Sequence, residues 1–287
     1  MAALTVAGRP RSRRLSQWTI MPATYLVSIV IFGVTIVPLL FVFLDGARSN
    51  EQLGANSIGL PNPWVWSNYS SILTTAPFWQ FIGNSALIAT VATILAVTFG
   101  SMAAFALSRY AFRGREFYYT LFISGLLFPL VMAALPLFAL LQDLGLLDSW
   151  LGVALPEAAF ALPITMLILR PFMRAIPGDL EDAALVDGAG RMRFFVQILI
   201  PLCKPALVTV SLLAFVTSWN QFLLPLLVFT TQSHFTLPVG VSVYQSTYST
   251  NTALELAFTG LAALPALAVF VFAERYLVAG ASGAVKG

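Results

Sequence analysis

The chain has little charge: Asp, Glu, Lys and Arg make up only 9% of its 287 residues, against 59% hydrophobic ones. Soluble domains carry roughly 25% charged residues. A globule of this composition could not cover its surface with polar groups, which excludes a soluble enzyme. Cysteine is limited to Cys203, so an intrachain disulfide framework is excluded. Histidine is limited to His234, which leaves almost no material for a His-based metal site or a Ser/His/Asp relay. The two lysines, Lys204 and Lys286, follow Cys203 and Val285, so the Gly-Lys-Ser/Thr loop that brings a lysine to nucleotide phosphates is missing. Any ATP and magnesium that energise this protein must be bound by another polypeptide, and no cofactor or metal site is expected here.

What the sequence does contain is apolar residues in long runs. A helix crosses ~30 Å of hydrocarbon with about 20 residues. Six runs meet that length, at 22–44, 78–107, 117–141, 151–169, 205–229 and 253–273, and predict an all-α membrane protein with six transmembrane helices. Barrel strands would alternate over about ten residues instead. Basic residues then set the threading. Short cytoplasmic loops retain Lys and Arg, and the stretches before span 1, after spans 2 and 4, and after span 6 hold 14 of the 15, leaving only Arg48 on the other side. Both termini are therefore expected in the cytoplasm, in a multi-pass protein of the plasma (inner) membrane. The isoelectric point near 9.2 reflects this topology and not nucleic-acid binding. The expected organisation is a basic tail (1–21), a first span (22–44), an outer loop (45–77), a core (78–275) with a cytoplasmic loop at 171–203, and a C-terminal tail (276–287). Span 1 exceeds the 7–15 residues of a signal-peptide core and lacks a small-residue cleavage site, so it is expected to stay.

Ionisable residues inside spans commonly mark ion or proton pathways. Here the spans hold only Glu157 and Glu255, each within about two turns of an outer end, and no internal repeat is evident. An autonomous ion-coupled carrier and a membrane enzyme are both disfavoured.

The loop between spans 4 and 5 has helical grammar of its own. Pro177 and Gly178 break the incoming helix, Asp179 is expected as N-cap with Asp182 as its capping-box partner, and Glu181 adds a third carboxylate to the first turn. Gly188 supplies the positive φ that ends the helix. A second amphipathic helix is expected from about Arg191 to Ile200. From the residues alone this is either an interfacial loop packed on its own bundle or a docking knob, with Ala183 and Ala184 small enough for close approach.

At these residues the sequence resembles the inner-membrane permease subunits of ATP-binding-cassette importers. Their signature is Glu-Ala-Ala, three residues, Gly, nine residues and Ile-x-Leu-Pro. It stands here as Asp182-Ala183-Ala184, Gly188 and Ile198-Leu199-Ile200-Pro201, with Asp187-Gly188-Ala189 also matching. Asp182 replaces Glu and Ile200 replaces Leu. Further fragments are similar to the carbohydrate branch, the maltose-type second permease: Asn84-Ser85, Ala104 to Arg109, Trp219-Asn220-Gln221-Phe222, Thr236 to Gly240 and Gly283 to Gly287. Gln221 stands where that branch more often has Glu.

The resemblance implies a type I importer permease that forms half of a sugar pore. Its partners would be a second homologous permease, a dimer of cytosolic ATPase subunits and an extracytoplasmic substrate-binding protein. It further implies that Glu181, Asp182, Ala183, Ala184, Asp187, Gly188 and Ala189 couple the pore to the ATPase. For a neutral sugar, amides and an aromatic face are the fitting contacts, which selects Asn84, Trp219, Asn220 and Gln221 as substrate-path residues, with Gln142 as a further one; helix-to-helix hydrogen bonding is the alternative use of such groups. The polar outer segment 244–249 is either a meeting point for the binding protein or an ordinary loop. An importer of glycerol phosphates or other small polar solutes, whose permeases share these motifs, is the second functional reading.

Overall fold

The computed structural model describes residues 14–74, 77–244 and 251–284. Segment 245–249 and the far ends of both tails lie outside the described residues. Every regular element among them is helical: α1 (Arg14–Gly46), α2 (Asn50–Ala55), α3 (Ser67–Thr74), α4 (Phe78–Arg109), α5 (Arg115–Ser124), α6 (Leu130–Asp143), α7 (Trp150–Ala175), α8 (Asp179–Val186), α9 (Arg191–Phe194), α10 (Ile200–Leu202), α11 (Lys204–Trp219), α12 (Leu223–Val228), α13 (Leu237–Gly240) and α14 (Thr252–Ala284). A π-helical turn, Phe195–Leu199, joins α9 to α10.

Among the described residues, four helices are long and apolar enough to cross a membrane unbroken, in α1, α4, α7 and α14, and two bent pairs, Arg115–Leu127 with Leu130–Asp143 and Arg191–Leu202 with Lys204–Trp219, bring the number to six if each is one span. Expected spans 3 and 5 are not the continuous helices anticipated. Span 3 divides between α5 and α6 with a bend of 100°. Pro129 sits at that bend in an extended conformation and starts α6, as a residue without a backbone N–H does. Span 5 stops at Trp219 and resumes at Leu223 as α12. Pro225 cannot donate to the carbonyl four residues back, and Gln221 Oε1 accepts the Phe222 N–H in place of the lost ladder at 3.1 Å.

Helices α4 and α7 form the central pair. Helix α4 presents Ala89, Ala92, Ala96, Gly100 and Ala104 as buried small residues along one flank, the pattern by which membrane helices approach closely. At Gly100 a β-carbon would lie 2.5 Å from Thr165 Cγ2 of α7. Helix α1 packs against α14 and exposes Tyr25, Leu26, Ile29 and Phe32, a surface suited to lipid and unsuited to water.

The basic loops gather at one end. Arg170, at the end of α7, is buried; its Nε donates to the Leu107 carbonyl at 3.2 Å, its guanidinium pairs with Glu116 and it lies 3.9 Å from the centre of the Tyr119 ring. Arg191 covers Tyr110 at 4.8 Å and Arg109 covers Phe194 at 6.0 Å. At the opposite end Arg48, the isolated basic residue, is buried in the loop after α1, donating to Asp45 at 2.9 Å and to the carbonyls of Gln52 and Asn56.

Candidate functional site

The loop after α7 folds into two short helices at the end where the arginines gather. Its start differs from expectation. Gly178, not Asp179, occupies the N-cap position, and no side chain caps the helix. Gly178 is itself in the helical region, so its carbonyl accepts from Glu181 N at 2.8 Å and from Asp182 N at 3.2 Å, and the ladder begins one residue early. Asp179, Glu181 and Asp182 therefore act on this helix through its dipole alone.

The C-terminal end is as the glycine required. Gly188 has φ +80°. Ala189 N–H donates to the Ala184 carbonyl at 2.8 Å and Gly188 N–H to that of Leu185 at 3.0 Å, the paired bonds of a Schellman motif. The chain reverses there into α9. The π turn that follows turns Phe195 and Leu199 inward, beside Phe194, where they pack with Phe105, Met173 and Cys203. Burial pushes the Cys203 thiol up to about 11, so it is a packing group and not a nucleophile.

The two alanines of the motif do different work. Ala184 is 6% exposed and belongs to this core. The expected close approach by a partner at Ala184 is not available on this surface, because its own chain already occupies that side. Ala183, Asp182, Asp187 and Gly188 face outward, and Glu181 and Ala189 are half-buried. Beside them stand three apolar residues that the sequence reading overlooked: Leu185, Met192 and Val186, the last 88% exposed. Their signal was present, as apolar side chains on the outer faces of the two short helices, Leu185 and Val186 on acidic α8 and Met192 on α9.

The four substrate-path residues are not brought together. Asn84 Nδ2 donates to the carbonyls of Ser233 and Phe235 at 2.7 and 3.0 Å, and Ser85 Oγ accepts from Leu237 N at 2.8 Å. The Asn84-Ser85 and Thr236-Leu237 fragments thus meet as a clasp between α4 and the segment before α13. Trp219 is buried against Phe215, 5.8 Å between rings, in a cluster with Phe78 and Leu237. Asn220 is exposed and donates to the Val216 carbonyl at 2.8 Å. Trp219 and Asn220 line one cavity with Leu237 and Pro238, whereas Gln221, past the end of α11, lines another with Glu157, Phe160, Thr217 and Ser218. Gln142 stands in the last turn of α6. Neighbouring Asp148 accepts from Thr231 Oγ1 at 2.6 Å and from the backbone of Thr230 and Thr231 at 3.0 and 3.1 Å, with His234 at 3.1 Å. Led by the Thr231 hydroxyl, these donors hold its carboxyl well below the usual carboxylate range.

This architecture has relatives. Two solved structures of the bacterial transporter that imports the acidic polysaccharide alginate share the fold. One has a TM-score of 0.63 at 14% identity, over 91% of this chain and 97% of the other. The second, in complex with an alginate pentasaccharide-bound periplasmic protein, has a TM-score of 0.65 at 13% identity, over 93% and 96%. In sequence, the chain is 35% identical to the diacetylchitobiose uptake system permease protein NgcG of Streptomyces coelicolor, over 87% of this chain and 83% of the relative. It is 35% identical to the arabinooligosaccharides transport system permease protein AraQ of Halalkalibacterium halodurans, over 88% and 92%. It is 31% identical to the trehalose transport system permease protein SugB of Mycobacterium tuberculosis, over 96% and 99%. Residues 96–279, from the middle of α4 through the two-helix knob to α14, match the model of the binding-protein-dependent transport system inner membrane component; this chain belongs to that family, as a multi-pass permease subunit.

Proposed function

We propose that the chain is the transmembrane permease of an ATP-driven sugar importer, forming half of the pore and receiving its drive through the loop 177–201. The observation that carries this reading is the capped two-helix knob. Its inner side is welded to the bundle through Ala184 and Phe194, and its outer side offers Ala183, Leu185, Val186 and Met192 among carboxylates. An apolar patch of this kind, at the end rich in arginine, suits a protein partner in the cytoplasm.

The mechanism follows from stiffness. A second, homologous permease completes the pore, two ATPase subunits bind below, and the substrate-binding protein docks at the opposite face. ATP is bound and hydrolysed on the partner subunits. Closure of the ATPase pair moves the knob, and because Phe194, Phe195 and Leu199 are packed on Phe105 of α4 and Met173 of α7, the movement passes into the central helix pair. The bundle then has two packed arrangements between which nucleotide selects. The charge distribution supports a cytoplasmic position for both termini and the knob. Sugar is the solute class because the relatives with the highest identity cited above are named for saccharide uptake.

Replacement of Val186 by Asp or Ala183 by Lys is the test. The first puts a further carboxylate and the second a long cationic side chain into the docking face, where a charge desolvated without a partner across the interface costs several kcal/mol. Uptake should fall at least tenfold and the ATPase should be lost on purification, while membrane insertion and pairing with the second permease persist. Full uptake in both variants would sink the proposal.

A further inference from the structure

Helices α7 and α11 face each other across a cavity of about 260 Å³ whose polar groups come from Glu157, Thr217, Ser218 and Gln221, and whose aromatic wall is Phe160. Glu157 is 8% exposed. Ser218 Oγ donates to its Oε2, while Oε1 has no hydrogen-bond partner. Among the described residues, no basic side chain lines the cavity. A carboxyl so placed lacks the pairing that ordinarily accompanies burial, and one hydroxyl does not supply it. Groups that bring donors would complete the site.

We propose that Glu157 is the specificity-determining group of the solute path: it accepts hydrogen bonds from the hydroxyls of a neutral sugar and turns away anionic solutes. This rests on the reading of the chain as half of a sugar pore and names the solute class which that pore takes. Ring hydroxyls of a saccharide are donors matched to the open carboxyl oxygen, and the apolar face of the ring fits Phe160, three residues further along α7. Thr217 and Gln221 add groups that both donate and accept. Ser218 is a positioning residue that fixes the carboxyl. A phosphate or uronate would have to give up its hydration in a largely apolar cavity that, among the described residues, offers it no cation.

The assembled importer with its own binding protein, in proteoliposomes, tests this with four labelled solutes: trehalose, diacetylchitobiose, arabinotriose and digalacturonate. The wild type should carry a neutral solute and not digalacturonate. At saturating binding protein, Glu157→Ala and Glu157→Gln should lower that uptake at least tenfold, with Ser218→Ala between, and the purified variants should keep wild-type subunit stoichiometry. Uptake of digalacturonate by the wild type, or wild-type rates in both Glu157 variants, overturns the assignment. A second arm is independent of the choice of sugar and of the sugar-import reading: Glu157→Cys in a Cys203→Ser chain should react with a hydrophilic cationic thiol reagent when the complex is trapped with ATP and vanadate. Labelling supports a place on the solute path even where none of the four solutes is carried, and a thiol that stays unreactive in the trapped complex overturns it.

Discussion

Asn84 and Asp148 do comparable jobs from opposite sides of one outer segment. Asn84 holds the carbonyls of Ser233 and Phe235, and Asp148 holds the amides of Thr230 and Thr231. Removing either leaves backbone groups without partners; for the part-buried carbonyls held by Asn84 that costs about 1–3 kcal/mol per buried group. Asn84→Ala should accordingly speed hydrogen exchange across residues 231–237 by roughly tenfold, with α4 and α7 unaffected; exchange confined to wild-type rates would assign the clasp no weight. For Asp148 the sign of the pH effect is fixed by its depressed carboxyl. The stabilisation is complete above the unfolded value of 3.8 and is lost only as pH falls through the lower folded value. Limited proteolysis of this segment at pH 5 should therefore match that at pH 7 as far as Asp148 is concerned, and Asp148→Asn should raise cleavage at both. Asn84 was legible in the sequence as a polar residue of consequence, but not its role, because an amide at a helix start fits a ligand and a loop carbonyl equally well. Glu157 was visible as a carboxyl two turns into a span, yet its facing partner Ser218 is 61 positions away, and only the α7–α11 packing joins them.

The elements differ in how openly the sequence announces them. Unbroken apolar runs gave α4 close to its observed bounds and the apolar parts of α1, α7 and α14, since twenty apolar residues have no alternative in a bilayer but a helix; α1 begins eight residues earlier, and α7 and α14 run six and eleven residues further, than the runs that announced them. The breaks at Pro129 and around Asn220 were missed because composition does not register them: a proline within an apolar run is read as a tolerated kink, and whether the backbone bends depends on what repairs the ladder. The same holds at α8, where the residue types pointed to Asp179 and the backbone started at Gly178. Close packing of α4 on α7 gives a sharper prediction. Gly100→Leu would drive its β-carbon into Thr165, and overpacking of this sort costs about 1–3 kcal/mol or more. The variant should lower the thermal unfolding temperature of the purified complex, whereas Gly83→Leu, at a position with open space, should not.

At the scale of the whole molecule, the scarcity of charge and the placement of what remains describe one device. Arginines collect at one end around the knob, a single buried arginine braces the other, and one buried carboxyl faces a cavity between α7 and α11. On the proposed reading, such a chain offers a path for a neutral solute and a place for drive to enter, and its sequence lacks the lysine loop with which nucleotide would be held. The most direct test of the proposed role is solute flux in sealed vesicles, comparing this chain alone with the same chain joined by its second permease, ATPase subunits and binding protein. ATP-dependent sugar uptake is expected with the full set and none with the chain alone; sugar flux through the chain alone would contradict the proposed role.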